Sequence, residues 1–180
     1  MRVEPVAAHH RPALVDFVAA ITERDRAFVD RTLISQVKVA SWTQAVPERR
    51  LVAVEDDGSV SGLVTVSPGV GWSSHTAEIR LIVRSDRRQG GVGRALAAAG
   101  IELARSMGIE KLTVETMAAN AGGQATFAAH GFAVEARLPG HVRDDAGTLQ
   151  DIVLLSRWLT DPPAERAGGA SGGQDGSPTR

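Results

Sequence analysis

The hydrophobic residues of this chain follow two spacings, and each spacing predicts one kind of element. Short apolar runs, alternating or continuous, predict β-strands at residues 2–6, 50–55, 60–66, 77–83, 111–117, 132–143 and 149–158. Apolar positions at helical spacing predict helices from about residue 11 to 21, over residues 95–107 and over residues 123–130, with a further helical piece over residues 28–37. This order of elements predicts a mixed sheet with helices packed on it, an α/β or α+β sandwich.

The breaks between these elements carry the residues that turns require. Residues 56–59 predict a hairpin turn between two strands, and Gly108 and Gly131 each predict the end of a helix. From Asp161 onward the chain is rich in Pro, Gly and Ser and shows no periodicity, so residues 161–180 are expected to be a disordered tail. A single domain is therefore expected over residues 1–160.

Composition narrows the functional classes. A chain of 180 residues with 43% hydrophobic residues suits one domain with its own core, and its net charge of -1 gives no general attraction to nucleic acid. Cysteine is absent from the sequence, which excludes disulfides, thiolate metal sites and a cysteine nucleophile and fits a reducing compartment. The first residues do not read as a signal peptide, and charged residues interrupt every long apolar window. We therefore expect a cytoplasmic protein without a membrane span.

The strongest chemical signal is a turn rich in glycine and arginine at residues 87–96. Gly90, Gly91 and Gly93 let the backbone curl so that several N–H groups point at one spot. The turn lies between a strand and a helix, and a helix N-terminus attracts anions through its free N–H groups and its dipole. Four arginines, whose guanidinium groups match phosphate oxygens, lie beside it: Arg84, Arg87, Arg88 and Arg94. Because the basic residues are local, the turn predicts a site for a small phosphorylated ligand.

Two other interpretations of this turn compete with a phosphate site. The glycines can serve a tight turn and nothing more, but four nearby arginines have no structural need to converge there. A dinucleotide-binding Rossmann loop would place its first glycine directly after the strand. Here seven residues separate Val83 from Gly91, and the antiparallel hairpin upstream does not suit that fold. We therefore reject the Rossmann interpretation.

Two motifs carry a resemblance to a known family. Residues Arg88 to Gly93 read as Arg or Gln, two residues, Gly, one residue, then Gly or Ala, at the expected distance after a strand. Asn120 follows the next strand and precedes a short helix that ends in Gly131-Phe132. With this spacing and this element order, residues 2–158 resemble the GNAT superfamily of acyl-CoA-dependent N-acyltransferases. The resemblance implies a GNAT-like mixed, mostly antiparallel sheet of six to seven strands flanked by about four helices.

The resemblance also implies a donor and its contacts. Such proteins use acetyl-CoA as co-substrate, no metal is expected, and the amides of the turn hold the pyrophosphate. The pantetheine arm lies along the strand before the turn, which usually carries a bulge and separates from the next strand. The cofactor-binding residues implied here are Leu81, Ile82, Val83, Arg88, Gln89, Gly90, Gly91, Val92, Gly93, Arg94, Asn120 and Phe127. The implied reaction is direct attack of a primary amine on the acetyl group in a ternary complex.

Catalysis of this kind needs a base that removes a proton from the ammonium. Glu78 is the candidate base, because family members often place a carboxylate on this strand; the alternative is a strand glutamate that pairs with Arg80. Glu115 on the following strand is the reserve candidate. Many family members carry a tyrosine where this chain has Phe127, and the chain contains no tyrosine. Either the thiolate leaves without an acid, as a thiol pKa of about 8.5 permits, or another group serves.

Several other side chains are further candidates for catalysis or acceptor binding. His130 and Thr126 lie close in sequence to the position of the missing tyrosine, but helical geometry turns Thr126 to another face. Trp72 in a glycine-rich loop is either a substrate wall or a cover for the core. The charged residues 23–26 lie either at the acceptor site or at a solvated helix start. Three further candidates are left unranked by the sequence: His75, His141 and Asp151.

The expected partner is a small-molecule or peptide amine that serves as acceptor. Binding to nucleic acid or to a membrane is not expected, and a homodimer is possible. The main alternative function is a sensor that binds acyl-CoA without turnover, which the missing tyrosine motivates. A third interpretation is a general phosphate- or nucleotide-binding domain, which predicts that ATP competes as well as CoA does.

Overall fold

One sheet of seven strands organises the computed structural model, which describes residues 1–22, 49–144 and 146–161. The strands are β1 Arg2–Pro5, β2 Arg49–Val54, β3 Val60–Pro68, β4 Thr76–Val83, β5 Lys111–Met117, β6 Ala133–Arg143 and β7 Leu149–Trp158. Their order across the sheet is β1-β2-β3-β4-β5-β7-β6. Every neighbouring pair is antiparallel except β4 and β5, which are parallel. The prediction of a mixed, mostly antiparallel sheet is confirmed.

Three α-helices lie within the described part of the chain: α1 Arg11–Ala19, α2 Val92–Ser106 and α3 Ala121–Ala128. The fourth helical piece, predicted over residues 28–37, lies outside the described residues. The tail predicted over residues 161–180 also lies outside them, apart from Asp161, and its disorder stays a prediction. None of the described helices combines the length and the apolar character needed to cross a membrane.

The two faces of the sheet carry separate hydrophobic clusters. The first joins α2 and α3 to one face, with buried members that include Val64, Ile79, Leu96, Ile101, Leu112 and Phe127. The second joins α1 to the opposite face, with buried members that include Leu14, Phe17, Val18, Val52, Val54 and Leu63. Because side chains alternate along a strand, odd-numbered residues of β4 face α2, and even-numbered residues face the side that carries α1.

Strands β4 and β5 pair only where they begin. Their register consists of three pairs: Thr76↔Lys111, Ala77↔Leu112 and Glu78↔Thr113. Beyond Glu78 the strands separate, since β5 continues beside β7 along its whole length while β4 continues beside β3. The resulting gap, between residues 79–83 of β4 and residues 114–117 of β5, is called the β4–β5 cleft below. The separation that the family resemblance implies is thus confirmed.

The expectation of a bulge in β4, which the resemblance implies, is wrong for this chain. β3 and β4 pair in one continuous register from Gly62↔Val83 to Pro68↔Ala77. A bulge would place two residues of one strand opposite one residue of the other and interrupt that register. The cleft therefore opens where the pairing of β4 with β5 ends, while residues 77–83 of β4 stay paired with β3.

Candidate active site

The glycine turn, residues 88–93, joins β4 to α2. A short 3-10 turn at Ser85–Arg87 leads into it. Gln89 has a φ of 65° and Gly91 a φ of 83°, so two residues of the turn adopt the left-handed conformation. That conformation is open to glycine but costs a residue with a side chain about 1–2 kcal/mol. A turn of this kind gathers its N–H groups on one side, as anion-binding nests do.

Helix α2 begins within the glycine turn. Its first residue is Val92 and its N-cap is Gly91, which provides no side-chain cap. The predicted start at residue 95 is therefore wrong by three residues, and Gly93 belongs to the first turn of the helix. The N–H groups of that first turn have no partner within the helix and lie at the positive end of its dipole. The helix start itself thus adds N–H donors to the turn where the sequence predicts an anion site.

The four arginines near the turn have different surroundings. Arg84 donates two hydrogen bonds to Asp86, at 3.0 and 2.8 Å, and Arg87 lies 3.9 Å from the same carboxylate. The hydrogen bond from Arg84 is the main reason that the pKa of Asp86 is lowered. Asp86 therefore pairs with Arg84 and lies close to Arg87, and the convergence of the four arginines on the turn stays a prediction. Arg88 and Arg94 are exposed, on the turn and on the first turn of α2.

Gly93 marks the place where the glycine turn meets the β4–β5 cleft. A Cβ atom at Gly93 would lie 3.6 Å from Val83 Cγ2, 3.8 Å from Thr126 Cγ2 and 3.9 Å from Leu81 Cδ2. The start of α2, the end of β4 and one side of α3 therefore enclose a single space. Thr126 does lie on a different face of α3 from Phe127, as predicted, but it is the Thr126 face that borders this space. The Ala- and Gly-rich sequence of α3 contains no apolar stripe that would have revealed this.

Asn120 lies where β5 ends and α3 begins. Its side-chain oxygen accepts the N–H of Gly123 at 3.1 Å and so caps α3. Its amide group donates to Thr116 Oγ1 at 3.1 Å, which ties the cap to β5. Gly123 leaves room for this arrangement, because a Cβ there would lie 2.6 Å from Asn120 Nδ2. Asn120 therefore has a capping role beside the cleft, and its contact with a cofactor stays a prediction.

Glu78 lies at the closed end of the β4–β5 cleft. It is the last residue of β4 that pairs with β5, where it lies opposite Thr113. Its carboxylate accepts two hydrogen bonds from Arg80, at 2.5 and 2.7 Å, and the two side chains are 27% and 42% exposed. Both are even-numbered residues of β4 and so lie on the sheet face opposite α2. The predicted pairing with Arg80 is confirmed, while the role of Glu78 as a base stays a prediction.

Phe127 belongs to the core. It is 4% exposed, and its ring packs edge to face on Phe132 with the ring centroids 5.1 Å apart. His130, the alternative proton donor, donates from Nδ1 to the Thr126 carbonyl at 2.9 Å. The His130 carbonyl accepts a hydrogen bond of 2.6 Å from Arg157, which pairs with the start of β5. Both groups of His130 are therefore engaged just beyond the C-terminal end of α3.

The remaining candidates lie around the cleft. Glu115 is an exposed residue of β5, and His75 and His141 are exposed as well. His75 precedes β4 at the closed end, where its carbonyl accepts the N–H groups that begin β5. Asp151 accepts the Gly140 N–H at 2.8 Å and thereby holds an irregular stretch of β6. Asp151 thus has a structural task that accounts for its carboxylate.

Two expectations concern the acceptor side. Trp72 is 100% exposed on the 3-10 turn Gly71–Ser73, so its interpretation as a cover for the core is wrong. That turn directs its side chain into solvent instead of back toward the sheet. The charged residues 23–26 lie outside the described residues.

A second polar cluster, Glu4, His9 and His10, lies where β1 leads into α1. His10 is buried; its Nδ1 accepts the Ala7 N–H at 3.0 Å, and its Nε2 lies 2.7 Å from the Glu4 carboxylate. Because Nδ1 accepts, Nε2 carries the proton and donates it to Glu4. This hydrogen bond is the main cause of the lowered pKa of Glu4. A metal would need the Nε2 lone pair, so the cluster is a structural tie between β1 and α1.

Comparison with known proteins identifies the family. A family model described as the acetyltransferase (GNAT) family matches residues 17–132, which include the glycine turn and Asn120. The chain belongs to the GNAT acetyltransferase family. The resemblance drawn from the two sequence motifs is therefore confirmed. No curated protein matches the chain.

Many solved structures share the GNAT fold of this chain. A ribosomal-protein-alanine N-acetyltransferase from Brucella melitensis is 26% identical, with a TM-score of 0.77 over 88% of this chain and 100% of that one. The protein yncA from Salmonella typhimurium, solved with its cofactor acetyl-CoA, is 20% identical, with a TM-score of 0.77 over 92% and 98% of the two chains. A phosphinothricin acetyltransferase from Sinorhizobium meliloti, in complex with acetyl-CoA, is 17% identical, with a TM-score of 0.76 over 91% and 93%. These likenesses establish the fold.

Proposed function

We propose that this GNAT protein is an N-acetyltransferase that moves an acetyl group from acetyl-CoA to a primary amine in a ternary complex. The observation that carries the proposal is the continuity of the β4–β5 cleft with the glycine turn at one end and Glu78 at the other. From Val83 to Glu78 the strand covers five residues, or about 17 Å at about 3.3 Å per residue. One strand thus runs from the predicted anion site to a carboxylate over the length of an extended arm.

The residues of the glycine turn suit the pyrophosphate of coenzyme A. Backbone N–H groups at the start of α2 and in the turn supply donors, and Arg88 and Arg94 supply charge. The edge of β4 that faces the cleft is without a β5 partner over residues 79–83, which leaves backbone groups for a pantetheine arm to pair with as an added strand. Two of the solved structures that share this fold contain acetyl-CoA, which supports the choice of donor.

Glu78 is the base in this proposal. A carboxylate at the closed end of the cleft can take the proton that the ammonium must lose before the amine attacks. Phe127 offers no acid for the departing thiolate, and a thiol with a pKa of about 8.5 is a good enough leaving group to depart without one.

A sensor that binds acyl-CoA without turnover is the second candidate, and two observations favour it. Phe127 is a core residue where a proton donor would serve catalysis, and Glu78 is engaged by Arg80. The two candidates share the donor site and differ only in turnover.

Replacement of Gly90 tests the donor site. A Cβ there would lie 3.5 Å from the Arg87 carbonyl oxygen, an ordinary contact, whereas Gly91 has a φ of 83° and any substitution would strain it. Gly90→Glu adds a negative charge to the anion site, and Gly90→Gln adds the same bulk without charge. At a separation of about 6 Å and an effective dielectric constant of about 40, one such repulsion is about 1.4 kcal/mol. We expect calorimetry to show acetyl-CoA binding about tenfold weaker for Gly90→Glu than for Gly90→Gln.

Turnover is measured as CoA release over a panel of small amines and peptides. Release above hydrolysis for at least one amine supports the acetyltransferase. Tight acetyl-CoA binding without release on the whole panel supports the sensor. Equal affinities for ATP and CoA would overturn both candidates in favour of a general phosphate-binding domain. Equal effects of the two Gly90 variants would show that Gly90 does not border an anion site.

A further inference from the structure

The 3-10 turn that precedes the glycine turn carries an acid between its arginines. Asp86 is the middle residue of this turn, Ser85–Arg87. Arg84 donates two hydrogen bonds to the Asp86 carboxylate, at 3.0 and 2.8 Å, and Arg87 Nε lies 3.9 Å from it. All three side chains are accessible in part, since Arg84 is 23% exposed, Arg87 44% and Asp86 55%. A ligand that reaches these arginines therefore meets a carboxylate that already binds one of them.

Asp86 and the glycine turn border the same cavity. The residues that line it include Asp86, Arg87, Gly90 and Val92, which is the first residue of α2. Its volume of about 310 Å³ is roughly ten times the space of about 30 Å³ that one water molecule takes in the liquid, so a phosphate group fits there. The start of α2 attracts an anion to this space, whereas the Asp86 carboxylate repels it.

The β2–β3 hairpin brings further acids to this cavity. Glu55, at the start of the hairpin turn, lines the cavity together with Arg87. The pKa of Asp57 in the same turn is lowered, mainly by hydrogen bonds from Ser59 and in part by the charge of Arg87. Carboxylates from two elements, the hairpin and the 3-10 turn, therefore act on Arg87. A phosphate gains less from an arginine in such surroundings than from one without acids nearby.

We propose that Asp86 sets the selectivity of the donor site, because its carboxylate competes with phosphate for Arg84 and Arg87. This inference rests on the proposed acetyl-CoA site and concerns the ligands that the site rejects. A ligand that brings only phosphate charge has to displace Asp86 and gains little. Coenzyme A has a pantetheine arm that adds contacts along β4, and ATP and inorganic pyrophosphate lack that arm. Asp86 thus acts against polyphosphates more strongly than against the donor.

A role of Asp86 in orienting the arginines would have the opposite effect. If the carboxylate held Arg84 and Arg87 toward the phosphate, its loss would weaken every phosphate ligand. The geometry favours competition, because Arg84 donates to the carboxylate from both Nε and Nη2. This side of the guanidinium is the fork that binds two phosphate oxygens at once. A phosphate that takes it must first displace Asp86.

Asp86→Asn tests the competition, because it removes the charge and keeps the shape. Calorimetry should show ATP and inorganic pyrophosphate binding about three- to tenfold more tightly than in the wild type, as the modest strength of exposed charge pairs allows. Binding of CoA should tighten less, since a triphosphate carries more charge than the pyrophosphate bridge of CoA. Pantetheine, which has the arm but no phosphate, should bind as in the wild type.

Two further variants serve as controls. Asp86→Glu keeps the charge and should bind all four ligands with nearly wild-type affinity. Glu102→Gln removes a carboxylate from another accessible ion pair, with Arg105 on α2, and should change none of the affinities. Equal effects of Asp86→Asn and Glu102→Gln would show that only the overall charge of the protein matters, which overturns the inference.

Salt gives a second readout that a purely structural role of Asp86 would not change. Charges act over about 10 Å at 0.1 M salt and over about 3 Å at 1 M, so the difference between Asp86→Asn and the wild type should shrink at 1 M. A difference that persists at 1 M, ATP binding that is unchanged or weaker, or equal tightening of ATP and CoA overturns the inference. A wild type that prefers CoA to ATP would then leave the proposed donor site standing. A wild type that binds ATP as tightly as CoA fails the proposed function instead, and tighter ATP binding by Asp86→Asn would still support the competition.

Discussion

Replacing Gly62 by alanine tests how the start of α2 is held against the sheet. Gly62 lies on β3 beneath α2, and a Cβ there would lie 2.6 Å from Leu96 Cδ1, 3.0 Å from the Ile82 carbonyl oxygen and 3.2 Å from Val92 Cγ1. Leu96 and Val92 are 0% and 4% exposed, so neither has open space to move into. Ile82 is fixed in the β3–β4 ladder. The methyl group therefore forces α2 away from the sheet at the end that forms the glycine turn.

The size of the effect follows from these distances. Carbon–carbon contacts become favourable at about 3.5 Å, so the Leu96 methyl must retreat by about 0.9 Å. Overpacking of this kind in a filled core destabilises a protein by about 1–3 kcal/mol. For a chain of this size, that range corresponds to a fall in Tm of roughly 2–12 °C. Because the free N–H groups of α2 lie at the displaced end, weaker binding of acetyl-CoA should accompany the loss of stability.

Thermal and urea unfolding measure the first effect, and calorimetric titration with acetyl-CoA measures the second. Gly122→Ala is the matched control, because Gly122 lies in the first turn of α3 and its Cβ would meet no atom within 4 Å. Alanine there should leave stability unchanged or raise it by up to about 1 kcal/mol. Equal stability of the two variants would refute the close approach of α2 to β3. A destabilised Gly62→Ala that binds acetyl-CoA with wild-type affinity would show that the position of α2 does not govern the anion site.

Three further predictions concern the site and the core. Glu78→Gln should lower kcat about 10²- to 10⁴-fold with little change in acetyl-CoA affinity, because the variant lacks the proposed base. Glu115→Gln should leave kcat near the wild-type value. Equal kcat values for the two variants in CoA-release assays would exclude Glu78 as the base. Phe127→Ala should lower the free energy of unfolding by about 3–5 kcal/mol, since the residue is 4% exposed, and an unchanged urea midpoint would contradict its place in the core. The pKa of Asp86 should lie below its ordinary value of 3.8, because Arg84 donates hydrogen bonds to the carboxylate. The ion pair therefore stabilises the protein above pH 3.8, and this stabilisation is lost as the pH falls through the lowered pKa. NMR titration of Arg84→Gln should show the Asp86 pKa rising, and an unmoved midpoint would disprove the pairing.

Most elements of the fold can be predicted because helix and strand periods are local properties of a sequence. The bounds of β5 and β7 agree with the predicted residues 111–117 and 149–158. The start of α2 differs by three residues because glycines suggest a loop, although Val92 and Leu96 already stand at helical spacing. The strand order cannot be predicted in this way. β7 lies between β5 and β6, and no local sequence pattern encodes that order.

The features of the candidate site also divide into those that local sequence predicts and those that depend on contacts between distant segments. The glycine turn is contiguous in sequence, so its residue types alone predict an anion site. The pairing of Glu78 with Arg80 is also local, since residues two apart on a strand share a face. Thr65 and Thr113, by contrast, join these residues only through strand register, and Thr126 reaches the cleft only because α3 packs beside α2. Contacts between distant parts of the chain leave no signature in one sequence, which is why these neighbours emerge only from the structure.

The alternation of side chains along β4 explains how one strand serves both halves of the proposed reaction. Leu81 and Val83 face α2, on the side of the glycine turn, whereas Glu78 and Arg80 face the opposite side. The edge of β4 opens toward the cleft only beyond Glu78, because β5 follows β7 from there on. A donor that lies along this edge can therefore meet an acceptor on the other face only at the closed end, where the Glu78 carboxylate lies. The two-residue period of a strand thus separates the two tasks: changes at Leu81 should alter the affinity for acetyl-CoA, and changes at Glu78 should alter kcat.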